Sequence, residues 1–150
     1  MKNFIKPILG FQWLCLLCLC GTTATAFAQT ENWTNYFGNS MVSSIAIDSQ
    51  GNKWFGTQTG VWKFDGTNYT HYHTSNSGLV DNGVAAIAID AQGNKWFGTH
   101  TENTSGISKF DGTTWTTYLP SNSGLTNSKI RSIAIDAQGN KWFGTWGGGV

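Results

Sequence analysis

Three aspartates recur in this chain with the same neighbours and are the first candidates for chemistry. Asp48, Asp90 and Asp136 each begin the pattern Asp-x-x-Gly-Asn. A calcium loop of the EF-hand type would also need alternating oxygen ligands and a distant glutamate, and neither is present. Aspartate at the first position and glycine at the fourth are typical of a tight turn. We therefore predict turns here, and no metal site.

Two histidines two residues apart are the next candidates. On one face of a strand, His71 and His73 could hold a metal ion together. A zinc site needs at least a third protein ligand, and none is close in the sequence. The corresponding positions of a later repeat hold Thr117 and Leu119. The pattern therefore favours a solvent-facing outer strand.

Other signals of catalysis or of cofactor binding are missing from the sequence. It has no phosphate-binding glycine loop, no His-Glu-x-x-His motif and no nucleophile elbow. We predict no catalytic residue, no metal and no cofactor, and hence no enzyme in this sequence. The net charge of +1, without any basic run, also argues against a nucleic acid partner.

The N-terminus has the three parts of a secretory signal peptide. Two lysines precede a mostly apolar stretch at 8–20, and a small, polar segment then ends at Ala28. This pattern predicts a signal peptide at 1–28, cleaved between Ala28 and Gln29. The apolar stretch is shorter than the roughly 20 residues that a spanning helix needs. We expect residues 29–150 to be exported to the periplasm or the extracellular space, without membrane insertion.

The composition indicates short strands joined by tight turns. Charged residues make up 11% and aromatic residues 14% of the chain, with 19 glycines. Disordered proteins have few aromatic residues and much charge, and helical bundles are rich in Ala, Glu, Lys and Leu. Both classes are therefore excluded.

After the N-terminus the sequence is a repeat. The motif Ile-Ala-Ile-Asp-x-Gln-Gly-Asn-Lys-Trp-Phe-Gly-Thr begins at residues 45, 87 and 133, with spacings of 42 and 46 residues. A second motif, Lys-Phe-Asp-Gly-Thr, begins at residues 63 and 109. A period of about 40 to 50 residues is typical of propeller blades or of a solenoid.

Each repeat has the pattern of four short strands. In the first, we predict strands at 44–48, 53–57, 61–64 and 68–73. Asp65-Gly66 is a strong hairpin signal between the last two. The first strand carries Ile45 and Ile47 on one face and Ala46 on the other, so we predict that it is buried on both sides. The sequence therefore predicts an all-β fold, a β-propeller of four-stranded antiparallel blades.

The blades do not add up to a closed ring. We predict blade one at 43–74, blade two at 85–119 and part of a third at 131–150, within an incomplete propeller at 29–150. Residues 33–37 match a fourth strand and form an orphan that would close the last blade of the ring. A propeller takes four to eight blades, so we expect this chain to be the N-terminal part of a longer protein.

The loops between the second and third strands differ among the repeats, whereas the turns are nearly identical. Gln58, His100, Glu102 and Trp146 lie in these variable loops. Strand direction predicts that the loops share one rim, opposite the aspartate turns. Function on repeat folds lies on the face that varies, so we predict that these four residues contact a ligand. Trp146, flanked by glycine, would stack on an apolar face such as that of a sugar.

Two further side chains recur in every repeat. We predict that Trp54, Trp96 and Trp142 pack between neighbouring blades. The lysine before each of them, at positions 53, 95 and 141, is expected to pair with a turn aspartate or to face water.

The full pattern resembles the two-component regulator propeller repeat. It runs Ile-x-x-Asp-x-x-Gly-Asn-x-Trp-Phe-Gly-Thr, then Gly-Val, then Asp-Gly, then Ser-Asn-Ser-Gly-Leu. The matching residues of the first repeat are Ile45, Asp48, Gly51, Trp54, Gly56, Thr57 and Gly60. The resemblance implies a periplasmic sensor propeller that binds a small molecule or an oligosaccharide, with a transmembrane histidine kinase further along the full-length protein.

Two alternatives stay open at this point. The first is a secreted structural or adhesive propeller without a kinase. The second is a lyase on a propeller scaffold, such as the streptogramin lyases, which the repeat distantly resembles. No acid/base pair clusters in the sequence, which disfavours the lyase. The gene sequence beyond Val150 would distinguish the three.

Overall fold

A computed structural model describes residues 41–101 and 104–150, and every regular element in these ranges is a β-strand. The strands are β1 (Val42–Ile47), β2 (Lys53–Thr57), β3 (Gly60–Phe64), β4 (Tyr69–Tyr72), β5 (Val84–Ile89), β6 (Lys95–Thr99), β7 (Ile107–Phe110), β8 (Trp115–Tyr118), β9 (Ile130–Ile135) and β10 (Lys141–Thr145). The predicted signal peptide with its Ala28/Gln29 cleavage site, the predicted strand at 33–37 and Glu102 lie outside the described residues.

The strands form three antiparallel sheets in simple sequence order. The first sheet contains β1 to β4, the second β5 to β8, and the third β9 and β10. We call them blades one, two and three. The predicted all-β fold of four-stranded antiparallel blades is confirmed. Across the two described ranges, we find no helix of the length and apolarity that a membrane span requires.

The three repeats share the register of strand pairing as well as the positions of their strands. In each blade the first isoleucine of the Ile-Ala-Ile motif pairs with the phenylalanine of the next strand. The pairs are Ile45↔Phe55, Ile87↔Phe97 and Ile133↔Phe143. The register then shifts by one residue near the start of every inner strand, which marks a β-bulge at the same place in each blade.

The predicted aspartate turns are present in all three blades. Gly51 N donates a hydrogen bond to Asp48 O at 2.9 Å, and the corresponding distances in blades two and three are 2.9 and 3.0 Å. Gly51 has a φ of +81°, a left-handed conformation that favours glycine. These turns connect the first and second strands of each blade.

The turn between the third and fourth strands is centred one residue later than predicted. Asp65 N donates to Asn68 O at 3.2 Å, so Gly66 and Thr67 form the centre of the turn. The Asp65 carboxylate accepts hydrogen bonds from Thr67 N and Asn68 N at 2.8 and 2.7 Å. The aspartate therefore caps the turn with its side chain.

Burial of the inner strand differs between blades. The prediction that it is buried on both sides is right for β5, where Ile87 is 8% exposed. It is wrong for β1, where Ile45 and Ile47 are 60% and 64% exposed. The reason is that these isoleucines face the preceding blade, and within the described residues no sheet precedes β1.

Glycine allows the blades to approach each other closely. The inner strands β1, β5 and β9 lie side by side, and Ile87 N donates to Ser44 Oγ at 2.9 Å between the first two. A methyl group at Gly56 would lie 2.8 Å from Val84 Cγ1 of the next blade. At Gly98 it would lie 2.5 Å from Ile130 Cγ2. At Gly56 and Gly98 a glycine is therefore required by the packing between blades.

Candidate functional site

The repeated aspartate holds the repeated tryptophan. Asp48 Oδ2 accepts a hydrogen bond from Trp54 Nε1 at 3.0 Å, and Asn52 Nδ2 donates to the same oxygen at 2.8 Å. The Asp90–Trp96 and Asp136–Trp142 bonds are 2.9 and 3.0 Å long. The sequence predicted the turns but missed this second role. Asp-x-x-Gly-Asn-x-Trp is therefore one hydrogen-bonded unit.

These hydrogen bonds also decide the charge state of the aspartates. Burial pushes the pKa of Asp48 upward, but hydrogen bonds from Trp54, Asn52 and Gln50 outweigh it and hold the pKa below its ordinary value. The pKa of Asp136 is lowered chiefly by the indole N–H of Trp142. The turns therefore contain carboxylates that are ionised at neutral pH.

Two of the three repeated lysines lie over tryptophan rings of the preceding blade, whereas Lys53 Nζ lies 5.9 Å from the ring centroid of Phe64 in its own blade. Lys95 Nζ is 5.3 Å from the ring centroid of Trp54, and Lys141 Nζ is 5.4 Å from that of Trp96. Trp54 also has Lys63 of its own blade at 5.7 Å. The prediction that these lysines pair with aspartate or face water is wrong for Lys95 and Lys141, because each makes a cation–π contact between blades.

The tryptophans pack as predicted in two blades. Trp54 and Trp96 are 2% and 9% exposed. Trp142 is 52% exposed, so the prediction is wrong for this residue within the described chain. No further sheet covers the outer face of β10 among the described residues.

The histidine pair is held by its own blade. His71 Nε2 lies 2.9 Å from Thr59 O, and the ring stacks on Trp62 with 4.0 Å between centroids. His73 Nδ1 accepts a hydrogen bond from Ser75 N at 3.3 Å. The predicted solvent-facing orientation is thus only partly right, since both rings are half-buried. In the described ranges, no three His, Cys, Asp or Glu side chains are grouped to hold a metal ion.

Three of the four predicted ligand contacts occupy one equivalent position. Gln58, His100 and Trp146 each follow the identical sequence Lys-Trp-Phe-Gly-Thr. The position lies at the end of the second strand, and the aspartate turn lies at the beginning of that strand. We call this end the variable rim. The fourth residue, Glu102, is outside the described residues.

Blades one and two meet at the variable rim around Gly83. His100 N donates to Gly83 O at 3.1 Å. A methyl group at Gly83 would lie 3.6 Å from Gln58 Oε1 and 2.5 Å from Thr101 Cγ2. Thr101 Oγ1 in turn donates to Asp81 Oδ2 at 2.7 Å. Gln58 and the loop that begins at His100 are therefore neighbours, a contact that the sequence repeat did not predict.

In blade three the rim position holds an exposed tryptophan with a fixed backbone. Trp146 N donates to Lys129 O at 2.9 Å, and Asn127 Nδ2 donates to Trp146 O at 2.8 Å. The Trp146 side chain is 59% exposed. The Arg131 guanidinium carbon lies 4.3 Å from its ring centroid. The sequence analysis missed Arg131, although it is the only arginine of the chain.

Residues 124–147 match the family model described as two component regulator propeller. This segment carries the two-component regulator propeller repeat. The matched segment includes the linker before blade three, both of its strands and Trp146. The resemblance found in the sequence is thereby confirmed.

Two of the matching solved structures come from B. thetaiotaomicron. The extracellular domain of BT3049, assigned to a hybrid two component system, is 28% identical over 71% of this chain, with a TM-score of 0.62. The extracellular domain of BT4673, assigned to a one component system, is 19% identical over 73% of this chain, with a TM-score of 0.33. This chain spans only 14% and 22% of those two chains. A comparison with curated proteins finds no match.

Proposed function

We propose that this chain is part of an extracytoplasmic sensor propeller that binds a small molecule or an oligosaccharide on its variable rim. In the full-length protein, binding would be signalled to a histidine kinase beyond a transmembrane segment. The protein would reach the periplasm or the extracellular space through its signal peptide at 1–28.

One observation carries the proposal. Five residues of each second strand are identical in all three blades, and the next residue is Gln58, His100 or Trp146. The packing explains three of the five identities, because the tryptophan, the glycine and the lysine contact a neighbouring blade or turn. Nothing in the repeated packing requires a particular residue at the sixth position. Variation at one exposed, structurally fixed position is what a binding surface needs.

The comparison with BT3049 supports the same function. BT3049 is an extracellular domain of a two component system, and its likeness extends over 71% of this chain. The family description of residues 124–147 also concerns two component regulation. No catalytic constellation was predicted from the sequence, so binding rather than catalysis is the activity that we propose.

The gene sequence beyond Val150 tests the signalling part of the proposal. We expect further propeller repeats, a transmembrane helix and histidine kinase motifs. A secretion-sorting tail without a kinase would instead support the structural or adhesive alternative. Additional catalytic residues on later blades would support the lyase.

A binding experiment on the full-length extracytoplasmic region tests the ligand part. The region is titrated with a panel of defined neutral and acidic oligosaccharides by calorimetry. We expect Trp146→Ala to weaken binding of any ligand found by about 1–3 kcal/mol, because an aromatic anchor is lost. The control is Lys53→Ala, near the aspartate turn of blade one. Equal loss of affinity in both variants would contradict a site on the variable rim.

A further inference from the structure

A β-bulge brings a second variable position to the rim. In β9 and β10, Ser132 pairs with Gly144 and Ile130 pairs with Thr145, so Arg131 is the extra, unpaired residue. The bulges of blades one and two leave Ser43 and Ala85 at this place. Bulges commonly redirect a side chain next to a functional site. In blade three the bulge brings Arg131 onto the ring of Trp146.

The two variable positions therefore work as a pair. Blade one has Ser43 with Gln58, and blade two has Ala85 with His100. Blade three alone has the combination of a cation and a large aromatic ring, with 4.3 Å between the guanidinium carbon and the ring centroid. Each blade thus presents a different chemistry on the same backbone.

The segment that leads into the inner strand also becomes more positively charged from blade two to blade three. Residues 74–89, which comprise the linker before blade two and β5, contain one aspartate and no lysine or arginine, so their net charge is −1. The equivalent residues 120–135 contain Lys129 and Arg131 and no acidic residue, which gives +2. Blade three therefore presents the positive part of the described rim.

The Arg131 side chain retains its hydrogen-bonding capacity. Its guanidinium lies over the indole, and within the described part of the chain no hydrogen bond uses its N–H groups. The edge of a guanidinium group presents paired N–H donors whose geometry matches the two oxygens of a carboxylate. Within the described residues Trp146 is 59% exposed, so no other described side chain covers the indole face that a ligand would use.

We propose that Arg131 and Trp146 form a subsite for a carboxylated sugar, a uronic acid unit of an oligosaccharide. Trp146 packs against the apolar face of a sugar ring, and Arg131 binds the carboxylate of that unit or of the adjoining one. The inference rests on the proposed function and names the class of ligand for blade three.

Two natural substitutions test the subsite without disturbing the fold. Arg131→Ala and Trp146→His introduce the residues that blade two carries at the same positions. Lys53→Ala is the control, since it removes one positive charge from blade one, near an aspartate turn. Trigalacturonate and its methyl ester are the probes, because they differ in charge and hardly in shape.

The wild-type extracytoplasmic region should bind trigalacturonate at least about tenfold more tightly than its methyl ester. Arg131→Ala should abolish this preference and leave affinity for the ester unchanged. Trp146→His should weaken binding of both probes, and Lys53→Ala should preserve the preference.

Three results would overturn the inference. The wild type binds the acid and the ester equally, Arg131→Ala retains the preference, or trigalacturonate does not bind. If neutral oligosaccharides bind in a Trp146-dependent manner, the proposed function stands and only the acidic subsite is wrong. If the region binds neither these probes nor any member of the oligosaccharide panel, oligosaccharide sensing is contradicted as well.

Discussion

Within the described residues, blade two contributes four strands beside blade one, whereas blade three contributes only β9 and β10 beside blade two; we call these the closed and the open interface. Trp54 contacts Tyr72 of its own blade at 5.9 Å and Phe97 and Phe110 of the next blade at 6.0 and 6.4 Å. Trp96 contacts Tyr118 at 5.7 Å and Phe143 at 6.1 Å. The third contact, from the third strand of the following blade, has no counterpart around Trp96 in the described residues.

The difference shows what each strand contributes to blade packing. A cavity of about 490 Å³ lies beside the open interface, lined chiefly by Trp96, Ile107, Tyr118, Leu125 and Phe143. In the closed interface, Phe110 of β7 and Trp115 of β8 stack at 4.7 Å and belong to the aromatic cluster there. The inner two strands of a blade therefore establish the interface, and the outer two complete it.

The largest effect on stability should come from truncating Trp54, the tryptophan of the closed interface. Trp54→Ala is expected to cost about 3–5 kcal/mol of unfolding free energy, because it leaves a cavity in a packed core. Trp142→Ala at the open side should cost less than about 2 kcal/mol, since half of that ring is already exposed. Urea denaturation of this chain measures both losses. Equal losses would contradict the distinction between the two interfaces.

Adding a methyl group at the glycine between blades should have the next largest effect. Gly56→Ala and Gly98→Ala should each cost about 1–3 kcal/mol, because the methyl group collides with Val84 or Ile130. Gly144→Ala is the matched control, where the methyl group meets the Ser132 hydroxyl, the end of a side chain that can rotate. Its cost should be smaller in the same denaturation experiment. A control as damaging as the other two variants would show that strand propensity, rather than contact between blades, explains the glycine.

The smallest expected effect is on the dependence of stability on pH. The pKa of Asp48 is lower in the folded protein than the ordinary value of 3.8. The unfolded chain therefore binds more protons, so the stabilisation is complete above about pH 4 and is lost as the pH falls through the folded pKa. We expect a constant melting temperature between pH 7 and 5 and a decrease below pH 4. Asp48→Asn should reduce the steepness of that decrease, and an unchanged profile would contradict the role of this carboxylate.

The sequence was sufficient for the elements that depend on neighbours within one blade. The strands and the turn at Asp48 follow from residues that are close in sequence, and so does the resemblance to the family, whereas the turn at Asp65 is centred one residue later than predicted. Exposure of Ile45 and of Trp142 was missed, because it depends on which sheet lies on the other side.

The candidate site was predictable only in part. The variable position was visible because the five residues before it are identical in every repeat. The partner of Trp146 was not, since Arg131 is 15 positions earlier and only the bulge brings the two side chains together. A signal was nevertheless available, because the bulge position changes from Ser43 to Ala85 to Arg131.

The lysine that crosses each interface has a consequence for how such a chain evolves. Blade two shows both halves of one contact between blades, because Trp96 receives Lys141 and Lys95 reaches back to Trp54, and the other two repeats have tryptophan and lysine at the same positions. A duplicated segment of 42 or 46 residues would therefore find a compatible neighbour on either side. The number of repeats can therefore change by whole units while the lysine–tryptophan contact between blades is kept. Each new copy adds one more position on the variable rim where the side chain can differ.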